Sequence, residues 1–72
     1  MTRDTYIATI VAVGGERITS PSFEYKEVAH AWVSAYFRHN EEINTSHVEI
    51  LYRTFREDGL ADTDFIEYHY EW

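Results

Sequence analysis

The sequence predicts an α+β fold of order ββαββ, a four-stranded antiparallel sheet with one helix packed on one face. Three observations carry this. Residues 5–13 are rich in β-branched side chains and stop at Gly14-Gly15. The apolar period then lengthens to that of a helix across residues 24–40. Alternation returns in residues 47–56 and again in residues 63–72. At 72 residues the chain holds one domain, 1–72, with a single core.

The first strand is apolar on both sides, with Ile7, Val11 and Val13 on one and Tyr6, Ala8, Ile10 and Ala12 on the other, so a covering layer is expected on each. Gly14-Gly15 suits a two-residue primed turn, which sets Val13 against Glu16, Val11 against Ile18 and Tyr6 against Phe23. The second strand, residues 16–23, contains Pro21, and a residue without an amide proton belongs on a sheet edge.

In the helical segment Tyr25, Val28, Ala29, Trp32, Ala35 and Tyr36 form one stripe at spacings of three and four. Glu24 and Glu27 in the first turn, and Arg38 and His39 in the last, complement the helix dipole, and Asn40 is a suitable stop. Phe37 falls outside the stripe, on the far side with Lys26 and His30.

After a linker at 41–46, Val48, Ile50 and Tyr52 share one strand face, and His47, Glu49, Leu51, Arg53 and Phe55 the other. Glu57-Asp58-Gly59 opens a turn into the last strand, whose Tyr68, Tyr70 and Trp72 are expected in the core beneath Trp32 and Tyr36. Two registers satisfy the cross-strand chemistry. One pairs Phe55 with Phe65, and the other, slipped by two residues, pairs His47 with Glu71 and Glu49 with His69. Either leaves an uncovered sheet face bearing Leu51, Phe55 and Phe65 beside Arg53, Glu67 and His69.

The formal net charge of −7 is concentrated. Residues 57–72 contain Glu57, Asp58, Asp62, Asp64, Glu67 and Glu71 and no Lys or Arg, a local charge of −6, against −1 for residues 1–56. Aromatic residues at 17% separate the chain from disordered acidic tails, which lack apolar surface to offset chain entropy. A chain this short buries only roughly 60% of its unfolded surface, which favours help from a partner or a twin. With no cysteine, disulfides, thiolate zinc sites and cysteine nucleophiles are excluded. No stretch approaches the roughly 18 apolar residues of a membrane span. Asp4 directly follows Arg3, and no small-residue cleavage site follows an apolar run. A cytoplasmic protein without membrane contact is expected.

Four histidines raise metal binding, with His39, Glu42 and His47 near the helix exit and His69 across the second hairpin; their spacing matches no ligand motif, and no metal or other cofactor is expected. His47, Glu49, Glu67, His69 and Glu71 on one sheet face would supply acids and bases for hydrolysis. No nucleophile elbow accompanies them, and a non-enzyme is expected. Stacking of bases on the sheet aromatics is opposed by the acidic hairpin, so direct nucleic-acid binding is not expected.

Aromatic anchors with a charged rim are the pattern of a protein interface. The expected partner is a protein or complex with a basic surface. Glu57, Asp58, Asp62, Asp64, Glu67 and Glu71 would steer it, and Phe55, Phe65 and Phe37 would anchor it. Carboxylates on a rigid aromatic surface would act as a nucleic-acid mimic; the plainer reading is that they keep a small sheet soluble. Across its whole length, in size, acidity and element order though without a signature residue, the chain resembles the small inhibitors carried by phages, anti-CRISPR proteins among them. That resemblance implies inhibition by occlusion and carries over no site residue. A protein of another class also fits, a homodimer burying its uncovered sheet face. A third reading, a metal-assisted hydrolase using His47, Glu49 and His69, has the least support.

Overall fold

A computed structural model describes residues 3–72, apart from the side chains of residues 3 and 61–63. The elements are β1 (Arg3–Ala12), β2 (Arg17–Thr19), α1 (Lys26–His39), β3 (Thr45–Phe55) and β4 (Ala61–His69). They build one antiparallel sheet in the order β2-β1-β3-β4, with α1 on one face. The α+β class and the element order are those expected from the sequence. β2 lies on an edge of the sheet as expected, but it ends at Thr19, before Pro21, rather than running through the proline to residue 23.

The core is small and lies between α1 and the even-numbered side of the two central strands. Ala8, Ile10, Val48 and Ile50 from the sheet meet Ala29 and Val33 from the helix, all essentially inaccessible to solvent. Here the helix differs from its predicted stripe. Val28 is 44% exposed and Tyr25 65%, whereas Val33 is fully buried and Phe37 packs against the core. The small Ala29 and branched Val33 let the helix approach β1, and the bulky Trp32 and Tyr36 rings, stacked 5.7 Å apart, pack partly buried against it. Phe37 is thus not the far-side anchor expected from the helical wheel.

Both hairpins turn in one way. Gly15 donates its amide to the Ala12 carbonyl and Ala12 to that of Glu16, while Gly59 donates to Arg56 and Arg56 to Leu60. Gly15 (φ 91°) and Gly59 (φ 86°) take the left-handed conformation that glycine adopts without steric cost. Gly14 does not, so the primed two-residue turn is replaced by a three-residue loop. Ile10 then faces Ile18 and Val11 faces Arg17, one residue from the expected pairing. Tyr6 nevertheless bridges Phe23 as expected, because the chain slips by one residue through Ser20–Ser22. Ser20 manages the slip, donating its amide to the Ala8 carbonyl and accepting the Ala8 amide on its hydroxyl.

The second hairpin departs further. The ladder shifts between Thr54 and Phe55, whose partners are Thr63 and Ala61, so Asp62 is an extra residue on β4. Tyr52 therefore pairs with Phe65 and Val48 with His69, neither of the two registers expected. One inserted residue exchanges the faces of a strand. Phe65, Glu67 and His69 move to the helix side, and Ile66 and Tyr68 to the other. Tyr68 and Tyr70, expected in the core, are 52% and 74% exposed.

Strand length leaves much of this sheet bare. Eleven residues of β3 extend about 36 Å, and fourteen residues of α1 about 21 Å. The molecule measures 43 × 20 × 17 Å accordingly.

Candidate interaction surface

The face opposite α1 is built from odd-numbered residues of β1 and β3 and even-numbered residues of β4. The expectation that a layer would cover both faces of the first strand is not met: the one helix among the described residues lies on the other side. The register aligns its side chains in rows. Ile7, Leu51 and Ile66 lie side by side across three strands. On one flank Thr9, Glu49 and Tyr68 form the next row, and on the other Thr5, Arg53 and Asp64. Phe55 ends the face opposite Arg3.

Polar groups tie these rows together. Arg53 grips Asp64 with two parallel bonds, Nε to Oδ1 at 2.8 Å and Nη2 to Oδ2 at 3.0 Å. That bond holds the Asp64 carboxyl below its ordinary value and lifts the Arg53 guanidinium above its own. Glu49 accepts from Arg17 and meets His47 Nε2, each at 3.0 Å, while Ser46 Oγ lies 3.3 Å from His47 Nδ1. Hydroxyl, imidazole and carboxylate thus stand in the order of an acyl-transfer relay. Arg17 shares the Glu49 oxygen, however, and holds that carboxylate in a surface ion pair. The His47 ring also leans on Tyr68 and Tyr70, at 5.9 and 5.6 Å.

The helix side of β4 holds a separate cluster. Lys26 reaches Glu67 at 2.8 Å, and this bond draws the Glu67 carboxyl below its ordinary value and raises Lys26. Beyond β4 the chain folds back onto α1, where Trp72 donates its indole N–H to Ser34 Oγ at 3.1 Å. The Trp72 ring packs against His30 at 4.9 Å and His69 at 5.3 Å. Desolvation, reinforced by His69, depresses the His30 imidazole. Beside the N-terminal end of α1, Tyr6 and Tyr52 meet at 5.1 Å and Phe65 stands 61% exposed next to them.

The residues expected to form one contact patch are thus distributed. Asp64 and Phe55 lie on the open face; Glu67 and Phe65 lie on the helix side; Phe37 packs on the core. Asp58, in the turn, pairs with Arg56 at 3.0 Å and caps the Leu60 amide. Glu57 occupies the same turn, Glu71 is exposed after β4, and the Asp62 side chain lies outside the described residues. His47 and Glu49 are separated by the sheet from Glu67 and His69, and no three metal-ligating side chains converge among the described residues. Ile7, Ile66 and Tyr68 went unmarked as contacts. Their signal, alternation within each strand, was present, but the extra residue at Asp62 hid which partners they share a face with. No family model, curated protein or solved structure matches the chain. No helix among the described residues is long and apolar enough to cross a membrane.

Proposed function

We propose that this chain is a non-catalytic protein–protein interaction module that occludes a basic, nucleic-acid-binding surface of a partner complex. The row Ile7–Leu51–Ile66 on the open sheet face carries the reading. Adjacent aliphatic side chains in a face without a covering layer are the apolar centre an interface needs, with Tyr68 as an aromatic anchor beside them. The molecule's charge of −7 supplies attraction toward a basic partner and speeds encounter. Occlusion of this kind is what the likeness to phage-borne inhibitors implies, and its setting is the cytoplasm. Within it, Asp64 forms part of the rim, Phe55 closes one end, and Glu57, Asp58 and Glu71 act at longer range.

Capture of partners at low and high salt, with Leu51→Arg and Asp64→Lys beside the parent chain, tests the proposal. Capture lost with Leu51→Arg, and weakened by salt and by Asp64→Lys, is the expected pattern. Retention by a folded Leu51→Arg chain refutes this face. The same aliphatic row favours a second reading, a homodimer burying the open face. A scattering mass that doubles at micromolar concentration and falls on dilution distinguishes it.

A further inference from the structure

The two edges of the sheet are not equivalent. β2 has three residues and is followed by Pro21, whereas β4 has nine. Tyr6 exchanges both backbone bonds with Phe23, and Ser20 donates to Ala8, so even residues of β1 aim their amides at β2 and odd ones at β3. Carried through the ladder, this alternation turns the amides of Phe65, Glu67 and His69 inward to β3. Those of Asp64, Ile66 and Tyr68 point outward, past the last strand of the sheet. The side chains of these three residues lie on the open face, where Ile66 ends the aliphatic row.

Outward amides and carbonyls on a long edge are a template for another strand. Charge selects which strand. Residues 61–72 carry Asp62, Asp64, Glu67 and Glu71 and no Lys or Arg, so two copies meeting edge to edge would align like charges. A basic strand gains attraction instead. We propose that an extended basic segment of the partner adds to β4 as an antiparallel fifth strand. This rests on the interaction-module reading and names its partner and mode.

The register specifies the segment. A residue opposite Ile66 prolongs the row Ile7–Leu51–Ile66 and is aliphatic; one opposite Phe65 joins the Tyr6–Tyr52 aromatics and is apolar. Positions opposite Glu67 and Asp64 carry Lys or Arg. Arg53 and Lys26 already bond these carboxylates, but a carboxylate has about four lone-pair sites, so each can accept again. The segment therefore reads basic, apolar, apolar, basic.

A synthetic peptide with an Arg-Val-Phe-Lys centre tests this against the whole chain, followed by amide exchange and nuclear magnetic resonance. Saturable binding is expected, with exchange at Ile66 and Tyr68 slowed by about tenfold or more. Methylating the peptide nitrogens that face β4 should abolish binding, and methylating the alternate set should not. Ile66→Pro removes an outward amide outside the β3–β4 ladder and should have the same effect as the first set. Equal binding by both methylated peptides, or binding that leaves the Ile66 and Tyr68 amides unprotected, overturns strand addition while the module reading stands. No binding, with salt-sensitive capture of partners intact, overturns the basic segment alone. Protection of these amides that grows with protein concentration and needs no peptide overturns it in favour of a second copy.

Discussion

Val28 and Val33 lie on the same helix and differ in burial, which makes them a clean test of which helix face holds the core. Val33 is fully buried between α1 and the sheet, and Val28 is 44% exposed. Replacing valine by alanine raises helix propensity by the same few tenths of a kcal/mol at both sites, so the difference measures packing. At Val33 the change withdraws about two methylene equivalents from the core, roughly 1.6 kcal/mol. It also leaves a cavity worth about 1 kcal/mol more. At Val28 roughly half the transfer contribution applies and no cavity forms, so the loss is near 0.8 kcal/mol before the propensity gain. Val33→Ala is expected to destabilise by about 2 kcal/mol and Val28→Ala by less than about 0.5 kcal/mol. For a domain of this size the first figure lowers the melting temperature by about 8–16 °C. Urea and thermal unfolding followed by circular dichroism measure both. Equal costs at the two sites would refute a core built on Val33, and a larger cost at Val28 would put the predicted stripe, with Val28 inward, against the sheet.

Four further outcomes follow from the geometry. Gly59→Ala and Gly15→Ala should each cost about 1–2 kcal/mol, because a Cβ strains the left-handed backbone, while Gly14→Ala should be tolerated; chemical denaturation of the three variants decides. Desolvation, with the neighbouring His69, lowers the folded pKa of His30 below its ordinary 6.5. The unfolded chain then binds more protons, and stability falls as pH drops below about 6.5 until the folded group also protonates. Melting curves from pH 7.5 to 5 should show this slope, and His30→Phe should flatten it. Glu67 and Asp64, depressed by Lys26 and Arg53, contribute stability above their ordinary values that is lost as pH falls through the lower folded ones. Lys26→Ala should restore Glu67 toward 4.5 in a carboxylate titration by nuclear magnetic resonance. Lastly, Ser34→Ala frees the Trp72 indole, and its fluorescence should shift to the red while the far-ultraviolet spectrum is unchanged.

Much of the architecture was legible because alternation and helical period are written into single segments. Ala8 and Ile10 against Val48 and Ile50 could be assigned to one face of their strands from alternation alone, and Pro21 declared an edge through its missing amide proton. Faces and registers were less accessible. The hairpin at Gly14-Gly15 admitted two loops of different length, and only Gly15 uses the left-handed region. The predicted helix stripe, at spacings of three and four, runs through Tyr25, Val28, Ala29, Trp32, Ala35 and Tyr36. Of these Ala29 is fully buried as expected, and Val33, predicted on the flank, joins it, since close approach to β1 favours small and branched side chains. Of the expected contact residues, Asp64 and Phe55 reach the open face, and Glu67 and Phe65 do not, because the extra residue at Asp62 exchanges the faces of β4.

By itself, then, the sequence determined the composition of each element: two alternating hairpins, one amphipathic helix, and −6 of charge within residues 57–72. These are properties of consecutive residues, and local sterics and polarity suffice to set them. Only the tertiary structure decided which side chains share a surface. It split the acidic residues between the two faces, paired Asp64 with Arg53 and Glu67 with Lys26, and lined up Ile7, Leu51 and Ile66 across three strands. Side-chain direction in a strand has a period of two, so one residue more or less in a turn or bulge reverses a whole face. That count is settled by long-range packing.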